Sequence, residues 1–60
     1  MKIILTIESN GAPFAGGNAP YEAARILRKF AERLEEDGLS PDSYALTDKN
    51  GNTVGQAVLQ

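Results

Sequence analysis

PYEAARILRKFAERLEEDG, residues 20–38, has the period of an amphipathic α-helix within a chain of 60 residues. Proline suits the first helical position, and Gly38 suits the end because glycine accepts the left-handed conformation that closes a last turn. The apolar stripe comprises Ala23, Leu27, Phe30 and Leu34, flanked by Ile26 and Ala31. This pattern predicts one helix of about 18 residues, roughly 27 Å long, which can cover a small sheet.

The residues before the helix begin with an alternating pattern. Residues 1–8, MKIILTIE, place Met1, Ile3, Leu5 and Ile7 on one face and Lys2, Ile4, Thr6 and Glu8 on the other. A period of two with β-branched residues predicts a half-buried strand. Ile4 is the exception, since it is an apolar residue on the polar face.

The residues after the helix predict a β-hairpin. Residues 44–47 and 53–60 read as strands on either side of Asn50-Gly51, a strong signal for a two-residue type I′ turn. That turn pairs Leu46 with Gly55 and Tyr44 with Ala57, and it leaves Val54, Gln56 and Val58 on the opposite face. A three-residue loop with a bulge would shift the register by one and point Gln56 toward the helix, so we favour the first. Leu39 is expected beneath the helix end, and residues 40–43 are expected to form a turn.

These elements predict a single α+β domain over residues 1–60, with the order β-α-β-β. A crossover through the helix followed by a hairpin predicts a three-stranded mixed sheet with the helix packed on one face. The other face would present Ile4, Val54 and Val58, and nothing in the chain is left to cover it. That face or an edge strand is therefore expected to bind a second copy or a partner, which predicts a homodimer.

Composition excludes several chemistries. The chain has no cysteine and no histidine, so disulfides, ordinary zinc sites and Ser-His or Cys-His catalysis are ruled out. We expect no catalytic or metal-binding residues and a non-enzymatic protein. Six basic and eight acidic residues give a net charge of −2, which disfavours nucleic-acid binding by the basic trio Arg25, Arg28 and Lys29. Without a membrane-span or signal-peptide pattern, a cytoplasmic protein is expected.

The loop between the first strand and the helix contains NGAPFAGGN, residues 10–18. Gly11 and Gly16 have the spacing that opens a phosphate-binding P-loop, but Gly17 and Asn18 stand where that motif needs Lys and Ser or Thr. No nucleotide or other cofactor is therefore expected. Phe14 either folds back over one end of the core, the reading we favour, or lies exposed as a contact for a partner.

Glu35, Glu36 and Asp37 form an acidic cluster in the last turn of the predicted helix. The negative end of the helix dipole disfavours acids there by about 0.3 to 1 kcal/mol each at low salt. The cluster either keeps an exposed helix end soluble or forms a patch that binds a basic surface, such as the nucleic-acid groove of a host protein.

The segments APF, EAARILRKFAERLEEDG and LTDKNGNTVG together resemble small uncharacterised βαββ proteins encoded by bacteriophages and prophages. The resemblance implies an accessory protein that acts by protein–protein binding, including modulation or inhibition of a host defence protein. Two alternatives come from other classes: a small nucleic-acid-binding module, and a self-associating structural or assembly subunit.

Overall fold

The computed structural model describes residues 1–38 and 43–60. Its elements are β1 (Ile3–Ile7), one turn of 3₁₀-helix (Ala12–Phe14), α1 (Ala19–Asp37), β2 (Ser43–Thr47) and β3 (Thr53–Leu59). The strands form one sheet in the order β1-β3-β2, with α1 packed against it. The α+β fold and the strand-helix-strand-strand order are as predicted. Leu39 and residues 40–42 of the expected turn lie outside the described residues.

Both strand pairs of this sheet are antiparallel, so the prediction of a mixed sheet is wrong. β3 lies in the centre, with Ile4 of β1 opposite Val58 and Tyr44 of β2 opposite Ala57. β1 and β2 point the same way, but β3 returns from the hairpin and inserts between them. Each pair therefore forms an antiparallel ladder, which is slightly more stable per residue than a parallel one.

The hairpin turn differs from the predicted type I′ turn. The Asp48 carbonyl accepts the Gly51 N–H at 3.0 Å, and the Asp48 N–H donates to the Asn52 carbonyl at 2.9 Å. Residues 49–51 therefore form a three-residue loop. Gly51 has a φ of 86°, whereas no described non-glycine residue has a positive φ. Asn50 thus lacks the conformation that a type I′ turn requires, and the loop has the form of a turn closed by a glycine bulge.

The predicted strand register is nevertheless correct. Leu46 lies opposite Gly55 and Tyr44 opposite Ala57, but Thr47 lies opposite Thr53. Val54 is therefore an extra residue on β3, and this bulge cancels the one-residue shift that the longer loop introduces. The bulge turns the Val54 side chain into the core, where it is 8% exposed, so its predicted place on the open face is wrong.

The core lies between α1 and one face of the sheet. It comprises Ile26, Phe30, Tyr44, Leu46, Val54 and Ala57, with Leu5, Ile7, Phe14, Leu34 and Leu59 packed against it. The rings of Phe30 and Tyr44 meet edge to face, with centroids 5.4 Å apart. The helix ends as predicted at Gly38, whose φ is 69° and whose N–H donates to the Leu34 carbonyl at 2.9 Å.

The buried side of α1 is rotated relative to the predicted stripe. Leu27 is 44% exposed, whereas Glu22 is 6% exposed. The rotation places Glu22, Ile26 and Phe30 along the buried line at intervals of four residues. Hydrogen bonds from Arg25 and from the backbone of Lys49 to Glu22 explain why a charged residue occupies the first buried position.

Candidate binding surfaces

Glu22 connects the start of α1 to the hairpin loop through hydrogen bonds. Its Oε2 accepts the backbone N–H of Lys49 at 2.8 Å, and its two oxygens receive Nε and Nη2 of Arg25 at 2.8 and 3.0 Å. The pKa of Glu22 is lowered from 4.5 to about 2, chiefly by the hydrogen bond from Arg25. Desolvation acts in the opposite direction, and the hydrogen bond from the Lys49 N–H lowers the pKa further. The carboxylate is therefore charged and already occupied by donors from its own chain, which gives it a structural role.

Asp48 organises the loop itself. Its side chain is nearly buried, and Oδ1 accepts the backbone N–H groups of Asn50 and Asn52 at 2.9 Å each. A carboxylate that satisfies two loop amides explains why the three-residue loop replaces the type I′ turn. Neither Glu22 nor Asp48 was predicted as a structural acid. The spacing of Glu22 and Arg25, three residues apart on a helix, is the one signal that could have indicated the pair.

A groove runs between α1 and the edge strand β2. Its lining comprises Ile26, Lys29, Phe30 and Arg33 from α1, and Tyr44, Ala45, Leu46 and Thr47 from β2. The groove holds about 80 Å³, which suits one or two side chains rather than a cofactor. Its charged lining residues are both cations. The guanidinium of Arg33 lies 4.7 Å from the centre of the Tyr44 ring, which forms part of the groove floor.

Beside this groove, no strand of the described residues pairs with the outer edge of β2. Lys2 and Gln60 exchange two backbone hydrogen bonds at 2.9 and 2.8 Å, which fixes the alternation of bonding directions across the antiparallel sheet. By that alternation Ala57 bonds toward β2, so its partner Tyr44 turns its N–H and C=O inward. Ser43, Ala45 and Thr47 turn theirs away from β3. The Thr47 carbonyl receives Arg25 Nη2 at 3.3 Å, which covers one end of this edge.

The other edge of the sheet is apolar. The exposed large hydrophobic residues in the described chain are Met1, Ile3, Ile4, Tyr21 and Leu27. Ile3 and Ile4 belong to β1, and Met1 precedes them. Leu27 lies on the flank of α1 opposite Lys29 and Arg33, and therefore on the β1 side. We call Ile3, Ile4 and Leu27 the β1 surface.

The apolar residues that were predicted to bind a partner differ in how far they are buried. Ile4 and Val58 are direct neighbours on the open face, as expected, with Ile4 41% exposed and Val58 half-buried. Phe14 is half-buried against the core, which matches the favoured reading. Val54 is buried, so it is removed from the candidates.

The acidic cluster lies on the surface at the end of α1. Glu35, Glu36 and Asp37 are all exposed. Asp37 forms an ion pair with Arg33 at 3.9 Å, which is long and exposed and therefore contributes little to stability. The cluster is accessible to a partner, and its role as a docking patch stays a prediction.

The glycine-rich loop contains one turn of regular structure. Residues 12–14 form one 3₁₀ turn, in which the Phe14 N–H donates to the Gly11 carbonyl at 3.0 Å, and Pro13 is buried. The Asn18 carbonyl accepts the Glu22 N–H at 2.9 Å, so the first turn of α1 is closed by its own chain.

Arg28 and Lys29 of the basic trio are exposed, whereas Arg25 is engaged by Glu22. The three residues border a shallow cleft together with Glu32, so the surface there carries both signs of charge.

The fold and these surfaces define a small α+β protein with two open sheet edges of different character. Comparison with protein-family models, with curated proteins and with solved structures found no match. Within residues 1–38 and 43–60, no helix combines the length and hydrophobicity that a membrane span requires.

Proposed function

We propose that this chain is a non-enzymatic protein-binding domain that accepts an extended acidic segment of a partner protein in the groove between α1 and β2. The observation that carries the proposal is the placement of Lys29 and Arg33 in a groove that lies beside the outer edge of β2. An extended segment binds such an edge by adding a strand, and the side chains that alternate along it enter the neighbouring groove.

The backbone supplies the affinity in this mode of binding. The N–H and C=O groups of Ser43 and Ala45 point away from β3 and are available to a partner strand. The added strand is short, because Arg25 already contacts the Thr47 carbonyl at 3.3 Å. Pairing is therefore centred on Ala45, whose exposed methyl group leaves room for an incoming backbone.

The cations supply the selectivity. Side chains of the added strand that face α1 meet Lys29 and Arg33, and within residues 1–38 and 43–60 no acidic residue lines the groove. Acidic side chains at every second position of the partner segment match this arrangement, whereas basic ones are repelled. Arg33 is also held over the Tyr44 ring, so one of the two cations is positioned before binding.

The resemblance to phage and prophage proteins implies that the partner is a host protein, which this chain would modulate or inhibit. A nucleic-acid-binding module is the alternative from another class, since phosphates would also seek Lys29 and Arg33. The net charge of −2 disfavours it, and the binding test below includes it as an outcome.

The test is a titration of a fluorescent peptide of about eight residues, alternating Glu and Val, monitored by anisotropy. We expect Lys29→Glu to raise the Kd roughly tenfold, because it replaces an attraction with a repulsion inside the groove. Arg28→Glu changes the net charge equally but lies outside the groove lining, so it should change the Kd less than about threefold. Ala45→Pro should abolish binding while preserving the fold, because the N–H that it removes points away from β3.

Three results would contradict the proposal. One is equal weakening by Lys29→Glu and Arg28→Glu, which would indicate a general charge effect. Another is equal affinity for a peptide with Lys in place of Glu. The third is binding of a single-stranded oligonucleotide, but not of the peptide, with the same sensitivity to Lys29→Glu.

A further inference from the structure

In the part of the chain that the structure describes, no strand pairs with the outer edge of β1, which lies opposite to the groove. Lys2 exchanges hydrogen bonds with Gln60, and the Glu8 N–H donates to the Val54 carbonyl at 2.8 Å, so even-numbered residues bond toward β3. The odd-numbered residues Ile3, Leu5 and Ile7 therefore direct their N–H and C=O groups outward. An open edge that carries apolar side chains is a template for pairing with another strand.

We propose that a second copy of this chain pairs with β1 in antiparallel orientation, with the two-fold axis at Leu5. In this register Leu5 lies opposite Leu5 of the second copy, and Ile3 lies opposite Ile7. These are the residues whose backbone groups point outward, so the three pairs form about six hydrogen bonds. The product is a continuous antiparallel sheet made from both copies, in which neither β1 edge remains exposed.

The charges along β1 match the same register. Pairing about Leu5 puts Lys2 opposite Glu8 of the second copy at each end of the interface, on the open face of the sheet. Within one chain these two residues are separated by roughly 20 Å, so they cannot neutralise each other. A register shifted by two residues instead places Glu8 opposite Ile4, or Lys2 opposite Thr6, and loses both charge pairs.

Apolar contacts on the helix face support this pairing. Ile3 is 37% exposed and Leu27 is 44% exposed, although both belong to the layer that contains the core. Pairing along β1 covers Ile3 with Ile7 of the second copy and brings the Leu27 flanks of the two helices toward each other above the joined strands. Removal of this apolar surface from water favours association.

A second copy fits this edge because the edge is complementary to itself. Rotation of the strand about Leu5 brings each outward N–H group opposite a carbonyl group and brings Lys2 opposite Glu8, as a two-fold interface requires. The β1 edge lies across the sheet from the α1–β2 groove. Self-association therefore does not depend on the proposed peptide binding, and either proposal can fail without the other.

The test is a charge-swap series in which the dimer Kd is measured by sedimentation at low ionic strength. We expect the wild-type chain to dimerise at micromolar concentration. Lys2→Glu and Glu8→Lys should each weaken the dimer about tenfold, because each creates two like-charge pairs per dimer. The double variant restores opposite charges across the axis and should return the Kd to within about threefold of the wild-type value.

Arg28→Glu and Glu36→Lys are the matched controls. They produce the same net charges as the two single swaps but lie on α1 away from β1, so they should leave the dimer Kd nearly unchanged. Circular dichroism verifies that every variant is folded. A monomeric wild-type chain at the highest concentration tested would overturn the proposal, as would a double variant that dimerises no better than the single variants.

Discussion

Replacing Gly55 with alanine should remove the β1–β3 pairing at one end of the sheet. A Cβ atom at Gly55 would overlap the Thr6 carbonyl oxygen and would lie 2.8 Å from the carbonyl carbon. Both atoms belong to the backbone, so no side-chain rotation relieves the clash. β1 would have to move by about 1 Å or more to restore ordinary contact distances.

The magnitude follows from what that movement disrupts. The Ile7–Gly55 pair and the Glu8 N–H to Val54 carbonyl bond at 2.8 Å lie at the displaced end. Backbone hydrogen bonds contribute about 1 kcal/mol each, and overpacking costs about 1 to 3 kcal/mol. We expect Gly55→Ala to lower the free energy of unfolding by about 2 to 4 kcal/mol. A core of this size rarely supplies more than about 3 to 5 kcal/mol, so the variant would lose much of its stability.

Urea denaturation followed by circular dichroism, at one fixed protein concentration, measures this change. Gly16→Ala is the control, because Gly16 has a φ of 60° and no atom within 4 Å of its built Cβ. It should cost only about 1 kcal/mol, the conformational penalty of alanine at positive φ. If Gly55→Ala costs no more than Gly16→Ala, the close approach of β1 to β3 at this residue is wrong.

Two further predictions concern the buried acids. The folded pKa of Glu22 is lowered from 4.5 to about 2, so the stability that its contacts contribute is complete above pH 4.5 and is lost as the pH falls toward 2. The Glu22→Gln variant should therefore be less stable than the wild-type chain at neutral pH, and its stability should depend less on pH between 4.5 and 2. Identical acid titrations of the two proteins, monitored by circular dichroism, would contradict this. Asp48→Ala should lower the free energy of unfolding by about 1 to 3 kcal/mol, because it leaves the N–H groups of Asn50 and Asn52 without their acceptor; urea denaturation checks this, and a change below about 0.5 kcal/mol would contradict it.

The helix and the outer strands could be predicted from the sequence because local signals agree there. Gly38 ends α1 where its φ of 69° requires glycine, and the period of two in β1 correctly assigns Leu5 and Ile7 to the core face. These features depend on neighbours in sequence, and the signals for them are strong.

The hairpin was harder to predict because its turn depends on a side chain. Asn50-Gly51 favours a type I′ turn, but Asp48 supplies acceptors that stabilise a longer loop. The predicted register was correct only because the bulge at Val54 compensates for that loop. A sequence pattern cannot distinguish two changes that compensate for each other from no change. The hydrogen bonds of the loop, the Thr47–Thr53 pairing and the burial of Val54 do distinguish them.

Only part of the candidate surfaces could be predicted from the sequence. A face with Ile4 and Val58 opposite to the helix followed from the presence of one helix; the two residues are neighbours there, and Ile4 is 41% exposed. The exposure of Leu27 and the cationic groove at Lys29 were missed, because both depend on how α1 is rotated. That rotation accompanies the contact of Glu22 with the backbone of Lys49, which lies 27 residues away in the chain.

Amide hydrogen exchange at the two sheet edges tests most directly the claim that these edges are binding surfaces. Raising the protein concentration should slow exchange at Ile3, Leu5 and Ile7, since their N–H groups become paired in the dimer. Adding the acidic peptide should slow exchange at Ala45 without affecting β1. Fast exchange at all four amides, regardless of protein concentration and peptide, would contradict the account.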